Sequence, residues 1–210
     1  MTRRITACAA GFAVIWLTAA SPLSHLDHHL LTAHMVMHLL IMLVAAPLIL
    51  FAALPALQRW QPQIAYCWLT GTLTVLFWHV PAVFELALKS RLWHQMEMAS
   101  FLVAGLVFWW PVIEHHAGSR WSVPVYLFLA TLPCDALSAF LTFCGHVVYR
   151  PYLIGNHGMF GLSPLDDQSL AGALMWVTVT FAYLIPALVL TARLLATERT
   201  QASEVGLVDG

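Results

Sequence analysis

The chain has 210 residues, 60 % of them hydrophobic and only 9 % charged, with a mean hydropathy of +0.79. Soluble domains carry about 25 % charged residues, so this composition belongs in a membrane and leaves little length for a soluble domain. A formal net charge of −1 with no basic patch gives nucleic acid nothing to bind, and the expected environment is the lipid bilayer.

A bilayer tolerates only helices or closed barrels, and the apolar runs here are far too long for barrel strands. The expected fold is therefore all-α, a polytopic transmembrane helical bundle forming a single integral membrane domain over residues 1–210. Six spans are expected, at about residues 5–20, 32–54, 64–80, 95–113, 122–144 and 169–195. The first is short and follows Arg3-Arg4, so a cleaved signal peptide is the alternative, leaving five spans. Pro81 closes the third, and Pro186 is expected to kink the sixth.

The second run opens T-A-H-M-V-M-H-L-L. His34 and His38 stand four residues apart, which puts both imidazoles on one helix face about 6 Å apart along the axis. Met37 shares that face and Met42 lies near its edge. The fourth run offers a counterpart, since from His94 one face continues through Glu97, Met98 and Phe101. His79 closes the third run. Imidazole suits copper, zinc, iron and nickel, whereas thioether selects for Cu(I). His34, His38, His79, His94 and Met98 are the expected metal ligands, with copper first and zinc or haem as alternatives. Glu97 is expected to orient an imidazole from behind, and Met35 and Met96 to serve as packing.

Sidedness follows from the basic residues. With the N-terminus cytoplasmic, the inner side holds Arg3, Arg4, Arg59, Arg120, Arg193 and Arg199, and the outer side Lys89, Arg91 and Arg150. Both termini are thus expected in the cytoplasm. On that topology His25, His28, His29, His146 and His157 join the expected ligands outside, and only His115 and His116 lie inside. Trp78 and Trp93 are expected in the outer interfacial belt, Trp60, Trp109, Trp110 and Trp121 in the inner one.

Asp135 is the one acidic residue deep in a run, with Thr131, Ser138 and Thr142 on its face. An intramembrane carboxyl is by default a functional hypothesis; the rival is a hydrogen-bonded contact to another helix. Ser163, Pro164 and Asp166 read as N-cap, first turn and capping box of the last helix. Asp167 adds charge at that helix N-terminus. Gln168 is less well explained, and Ala171-Gly172-Ala173 is expected to admit a close neighbour. The four cysteines, Cys8, Cys67, Cys134 and Cys144, form no C-x-x-C pair and read as small buried hydrophobes.

H-M-V-M-H-L-L at 34–40, W-H-V-P at 78–81, F-W-W-P at 108–111 and S-P-L-D-D-Q-S-L-A-G-A-L-M-W at 163–176 occur in this order in the multi-spanning CtaG-type cytochrome c oxidase assembly proteins, which the chain resembles over about residues 30–195. The resemblance implies a factor of a bacterial-type plasma membrane that serves haem–copper oxidase assembly, with oxidase subunits as partners and copper handling as the activity. The positions that match the family are His34, His38, His79, Asp167 and Gln168. The expected function is copper binding or delivery on the extracytoplasmic side, without catalysis. An intramembrane zinc hydrolase using Asp135 or Glu97 as base, a metal-free assembly scaffold and a haem-binding membrane protein stay open.

Overall fold

The computed structural model describes residues 2–57, 59–114, 121–155 and 159–208. His115, His116, Arg120 and His157 of the topology above lie outside them. Among the described residues every regular element is helical, as the composition requires. In chain order these are α1 (Thr2–Ala20), α2 (Leu23–Leu26), α3 (Leu31–Leu39), a π-helical turn (Leu40–Ala45), α4 (Ala46–Ala53), α5 (Ile64–Trp78), α6 (Pro81–Lys89), α7 (Arg91–Glu114), α8 (Ser122–Phe143), α9 (Arg150–Gly155) and α10 (Pro164–Val208).

The span count differs from the expected six. Four segments are long and apolar enough to cross a bilayer: Leu31–Ala56, Arg91–Glu114, Ser122–Phe143 and Pro164–Thr200. The bent pair α5 and α6, which turn by 74° at their junction, makes a fifth. Helix α1 is not among them, because Arg3 and Arg4 sit in its first turn and small or polar residues dilute its body. It is nonetheless packed: a Cβ at Gly11 would lie 2.7 Å from Ile49 Cγ1 and 3.1 Å from the Ala45 carbonyl oxygen. The last helix runs unbroken through Pro186 and extends well beyond residue 195.

The π turn has a local cause. Proline has no N–H, and its ring crowds the carbonyl four residues earlier, so Pro47 disturbs the ladder below it. The turn widens, and the Ala46 N–H bonds back five residues to the Ile41 carbonyl. On that register Met42 O would be served by residue 47, which has no proton to give. The indole of Trp109 supplies one instead, Nε1 donating to Met42 O at 2.9 Å. Gly105 lets α7 come this close, since a Cβ there would stand 2.7 Å from the Ala46 Cβ. Trp109 and Trp110 are therefore buried in the bundle rather than set in the interfacial belt. Trp78 is buried too, donating to Ser100 Oγ at 2.7 Å. Trp60, Trp93 and Trp121 remain exposed.

Helices α8 and α10 meet through Gly172, whose ideal Cβ would lie 2.8 Å from Thr142 N and 2.9 Å from Ser138 O. Backbone atoms cannot step aside there. Gly172→Ala is expected to prise the pair apart and lower stability by about 1–3 kcal/mol, the usual range for overpacking; thermal unfolding of the detergent-solubilised protein measures it. The polar stripe of α8 is satisfied largely within its own helix, with Thr131, Ser138 and Thr142 each donating to a carbonyl one turn back.

The two ends of the bundle are chemically distinct. Arg4 lies 5.9 Å from the Phe51 ring centroid, Trp60 packs on Trp110 and Trp121 donates to Glu198, all at one end. The start of α3, the α5–α6 bend, the start of α7 and the start of α10 gather at the other.

Candidate metal centre

Glu97 on α7 is the hub of that second end. Its Oε1 lies 3.3 Å from Nε2 of His34 and 3.3 Å from Nε2 of His38. Its Oε2 lies 3.4 Å from Nδ1 of His94. Nε2 of His94 stands 3.2 Å from Asp27 Oδ2, and His28 Nε2 is 3.8 Å from the other Asp27 oxygen. The His34 and His38 rings meet edge to face, centroids 4.4 Å apart, as expected for i and i+4 on one helix. Two ligands each about 2.0–2.2 Å from a tetrahedral ion are roughly 3.3–3.6 Å apart, so these separations suit a metal between them.

Among the described residues, two groups have their donor atoms all within 4.8 Å of one another: His34, His38 and Glu97, and Asp27, His34 and His94. His34 belongs to both. Glu97, Asp27 and His34 have 0 % of their surface exposed, and His38 has 5 %. Buried carboxylates without a full set of hydrogen-bond partners are costly, yet both Asp27 oxygens and Glu97 Oε2 lack a hydrogen bond of good geometry. A cation among them would relieve that cost.

The elements that hold these groups explain the local sequence. Asp167 at the start of α10 caps a different helix from its own. Its Oδ2 accepts from the Leu31 N–H at 2.7 Å and its Oδ1 from the Thr32 N–H at 3.1 Å, while Thr32 Oγ1 donates to the Asp167 carbonyl. Leu30, the N-cap residue of α3, offers no side-chain cap, so Asp167 anchors the helix that carries His34 and His38. Gln168 pins the segment after α8: its Oε1 accepts from Val148 N at 2.7 Å and its Nε2 donates to His146 O at 3.1 Å. Ser163 and Asp166 form the expected capping box, Ser163 Oγ donating to Asp166 Oδ2 at 2.6 Å and accepting from Asp166 N.

Aromatic side chains close the site. His38 stacks on Phe101 at 4.0 Å, and Phe84 of α6 packs on His34 at 4.8 Å and stacks on Tyr149 at 4.0 Å. Tyr149 donates to the His79 carbonyl, and Tyr152 to the Asp27 carbonyl at 2.7 Å. Burial pushes both phenols above their ordinary range, with nearby carboxylates adding to it, so both remain protonated donors. On the remaining side lies an open groove of about 710 Å³, where Met37, Met98, His94, His28 and Arg91 share the lining. His94, 16 % exposed, joins groove to cluster.

Of the residues singled out from sequence, His34, His38, His94 and Glu97 converge, and a Glu97 carboxylate oxygen lies within 4.8 Å of donor atoms of both His34 and His38. His79 lies beside His38, ring centroids 6.1 Å apart, with its Nδ1 donating to Val75 O at 2.7 Å. Met98 lines the groove, half-buried. Asp135 faces α10 instead and accepts from Thr180 Oγ1 at 3.0 Å, the hydrogen-bonded contact weighed as its rival role. Asp27 was missed because only the histidines of its loop were considered; the sole carboxylate in D-H-H was the available signal.

No curated protein and no solved structure matches the chain. The family model described as cytochrome c oxidase caa3 assembly factor matches residues 1–197, taking in each helix that contributes to the cluster and both motifs, 34–40 and 163–176, that shape it. The chain belongs to this family of oxidase assembly factors.

Proposed function

We propose that this assembly factor carries copper as its cargo. It holds the ion among His34, His38 and Glu97 on the extracytoplasmic side and passes it, by way of His94 and the groove, to a subunit of a haem–copper oxidase. The observation that carries this reading is the convergence of three imidazoles from two helices on one buried carboxylate. Among divalent first-row ions an N/O site binds Cu(II) most strongly. The excess of Lys and Arg at the opposite end supports the outward orientation. Asp27 and His94 form an exchange position between solvent and the buried donors, so the ion leaves by stepwise ligand replacement.

The test is His34→Ala combined with His38→Ala in the full chain. Copper in the purified protein is expected to fall from about one ion per chain to background, since no donor of matching strength replaces two imidazoles. Cells carrying the variant as their only copy are expected to accumulate oxidase lacking copper. Wild-type copper content and oxidase activity in the variant would overturn the proposal. A Soret band in the purified wild-type protein would favour haem instead.

One observation favours a second reading. Three imidazoles with two carboxylates beside an open groove are also the parts of a zinc hydrolase, with Glu97 or Asp27 as base for a metal-bound water. Zinc at about one per chain together with amide or ester turnover would select it.

A further inference from the structure

The open groove beside the cluster continues inward along the bundle. Its walls come from the last turns of α1 and from α7, and α3 with the π turn supplies a floor of Met37 and Ile41, both buried. Helix α1 packs on α4 and the π turn, and the groove fills the space between its end and α7. The α7 lining runs from Arg91 to Leu102, which is about 16 Å at 1.5 Å per residue. That is the depth of one leaflet of a hydrocarbon core about 30 Å thick.

Mouth and interior differ in chemistry. Arg91 is the first residue of a membrane-crossing segment, the position at which a long basic side chain reaches the lipid headgroups. It is exposed, and among the described residues no carboxylate pairs with it. His25, also exposed, shares the lining, and no Asp or Glu does. Helix α7 has no acidic residue in its first turn, so the positive end of its dipole is unmatched as well. Further in, Ile15, Met98 and Leu102 present hydrocarbon and thioether, and Thr18 spends its hydroxyl on the Ile15 carbonyl at 2.8 Å. A small anion alone would leave that apolar length empty. A partner helix about 10 Å thick needs roughly 1,200 Å³ over the same length, more than the 710 Å³ present. A molecule with an anionic head and a thin apolar tail matches both halves.

We infer that this groove is a phospholipid site selective for an anionic headgroup. The phosphate rests on Arg91, whose guanidinium matches it with paired N–H donors, and His25 adds to the mouth. One acyl chain runs inward over Met37, Ile41, Met98 and Leu102, where the thioethers adapt to its path. A zwitterionic head is disfavoured, because its ammonium would meet Arg91 and the positive end of α7. His28 and His94 turn towards Asp27 instead, so lipid and ion use different residues of the mouth. The inference goes beyond the cargo reading and stands whether or not the cluster holds metal.

The test uses the full chain in mild detergent, with native mass spectrometry and thermal unfolding after addition of dipalmitoyl phosphatidylglycerol, dipalmitoyl phosphatidylcholine or inorganic phosphate. The wild type is expected to retain one phosphatidylglycerol per chain and to unfold at a higher temperature with it, as a ligand of the native state must. Phosphatidylcholine should be held more weakly, and inorganic phosphate should neither bind nor displace the lipid. Arg91→Gln is expected to weaken phosphatidylglycerol binding about tenfold or more, the effect of losing a charge-assisted phosphate contact. Ala99→Trp, at an exposed position of the α7 wall, should block the acyl chain and abolish retention. Both substitutions are at the surface, and unfolding without lipid shows that each variant folds. Equal retention of the two lipids would mean unselective boundary lipid and overturn the inference. Binding of phosphate alone, or undiminished retention in either variant, would overturn it too.

Discussion

Glu97→Gln is expected to remove divalent metal from the histidine cluster while leaving the apo protein at least as stable as the wild type. Among the described residues, this carboxylate is the only anionic group paired with both His34 and His38. Removing a group that merely orients a ligand weakens metal binding about 10–100-fold; in the proposed site Glu97 is itself a ligand, so a loss of at least about 100-fold is expected. Stability moves the other way. A carboxylate with 0 % exposure is held out of water at a desolvation cost that the neutral amide of Gln carries to a much smaller degree. Metal titration gives the first quantity and thermal unfolding of the metal-free protein the second. A variant that binds like the wild type would show that Glu97 is structural.

Asp167→Ala is expected to have the larger effect on the fold. Two N–H groups at the start of α3, that of Leu31 buried and that of Thr32 half-buried, bond to this carboxylate. Hydrogen bonds to a charged group contribute about 1.5–3 kcal/mol, and orphaned buried donors carry a further penalty; a loss of about 2–4 kcal/mol is expected. Metal affinity should fall as well, although Asp167 belongs to neither donor group, because the first turns of α3 carry His34 and His38. Asp167→Asn keeps one oxygen acceptor and should recover part of both losses. Equal damage from the two substitutions would argue that charge rather than capping matters there.

These two residues also mark what the sequence discloses and what it hides. The helical class, the segments from residue 31 onward and the i, i+4 pairing of His34 with His38 follow from apolar run length and the 3.6-residue period, which act within a few turns of chain. So does the box formed by Ser163 and Asp166, which lie three residues apart. Asp167 looked like part of the same local motif. Its partners are more than 130 residues away, and nothing local distinguishes a carboxylate that caps its own helix from one that caps a neighbour. Glu97 presents the same difficulty, since its position among three imidazoles depends on how closely α7 approaches the π turn and α4 at Gly105 and His38 of α3 at Phe101. The π turn was hidden although Pro47 was visible, because proline in a long apolar run reads equally well as a kink. Helix α1 reads from sequence as a short span or a cleaved signal peptide, and its two arginines and small residues leave it outside the segments that are long and apolar enough to cross a bilayer. Trp109 shows the converse error: an aromatic near a span end reads as interfacial, but here an unpaired carbonyl inside the bundle claims its N–H.

The proposed function stands on metal being held by the cluster of His34, His38 and Glu97. Anomalous scattering at the copper edge, from crystals of the full chain loaded with Cu(II), tests it most directly. One strong peak is expected between the Nε2 atoms of His34 and His38 and the nearer oxygen of Glu97, and it should vanish in Glu97→Gln. Absence of any peak there, or copper confined to exposed histidines such as His25 and His146, would contradict the claim.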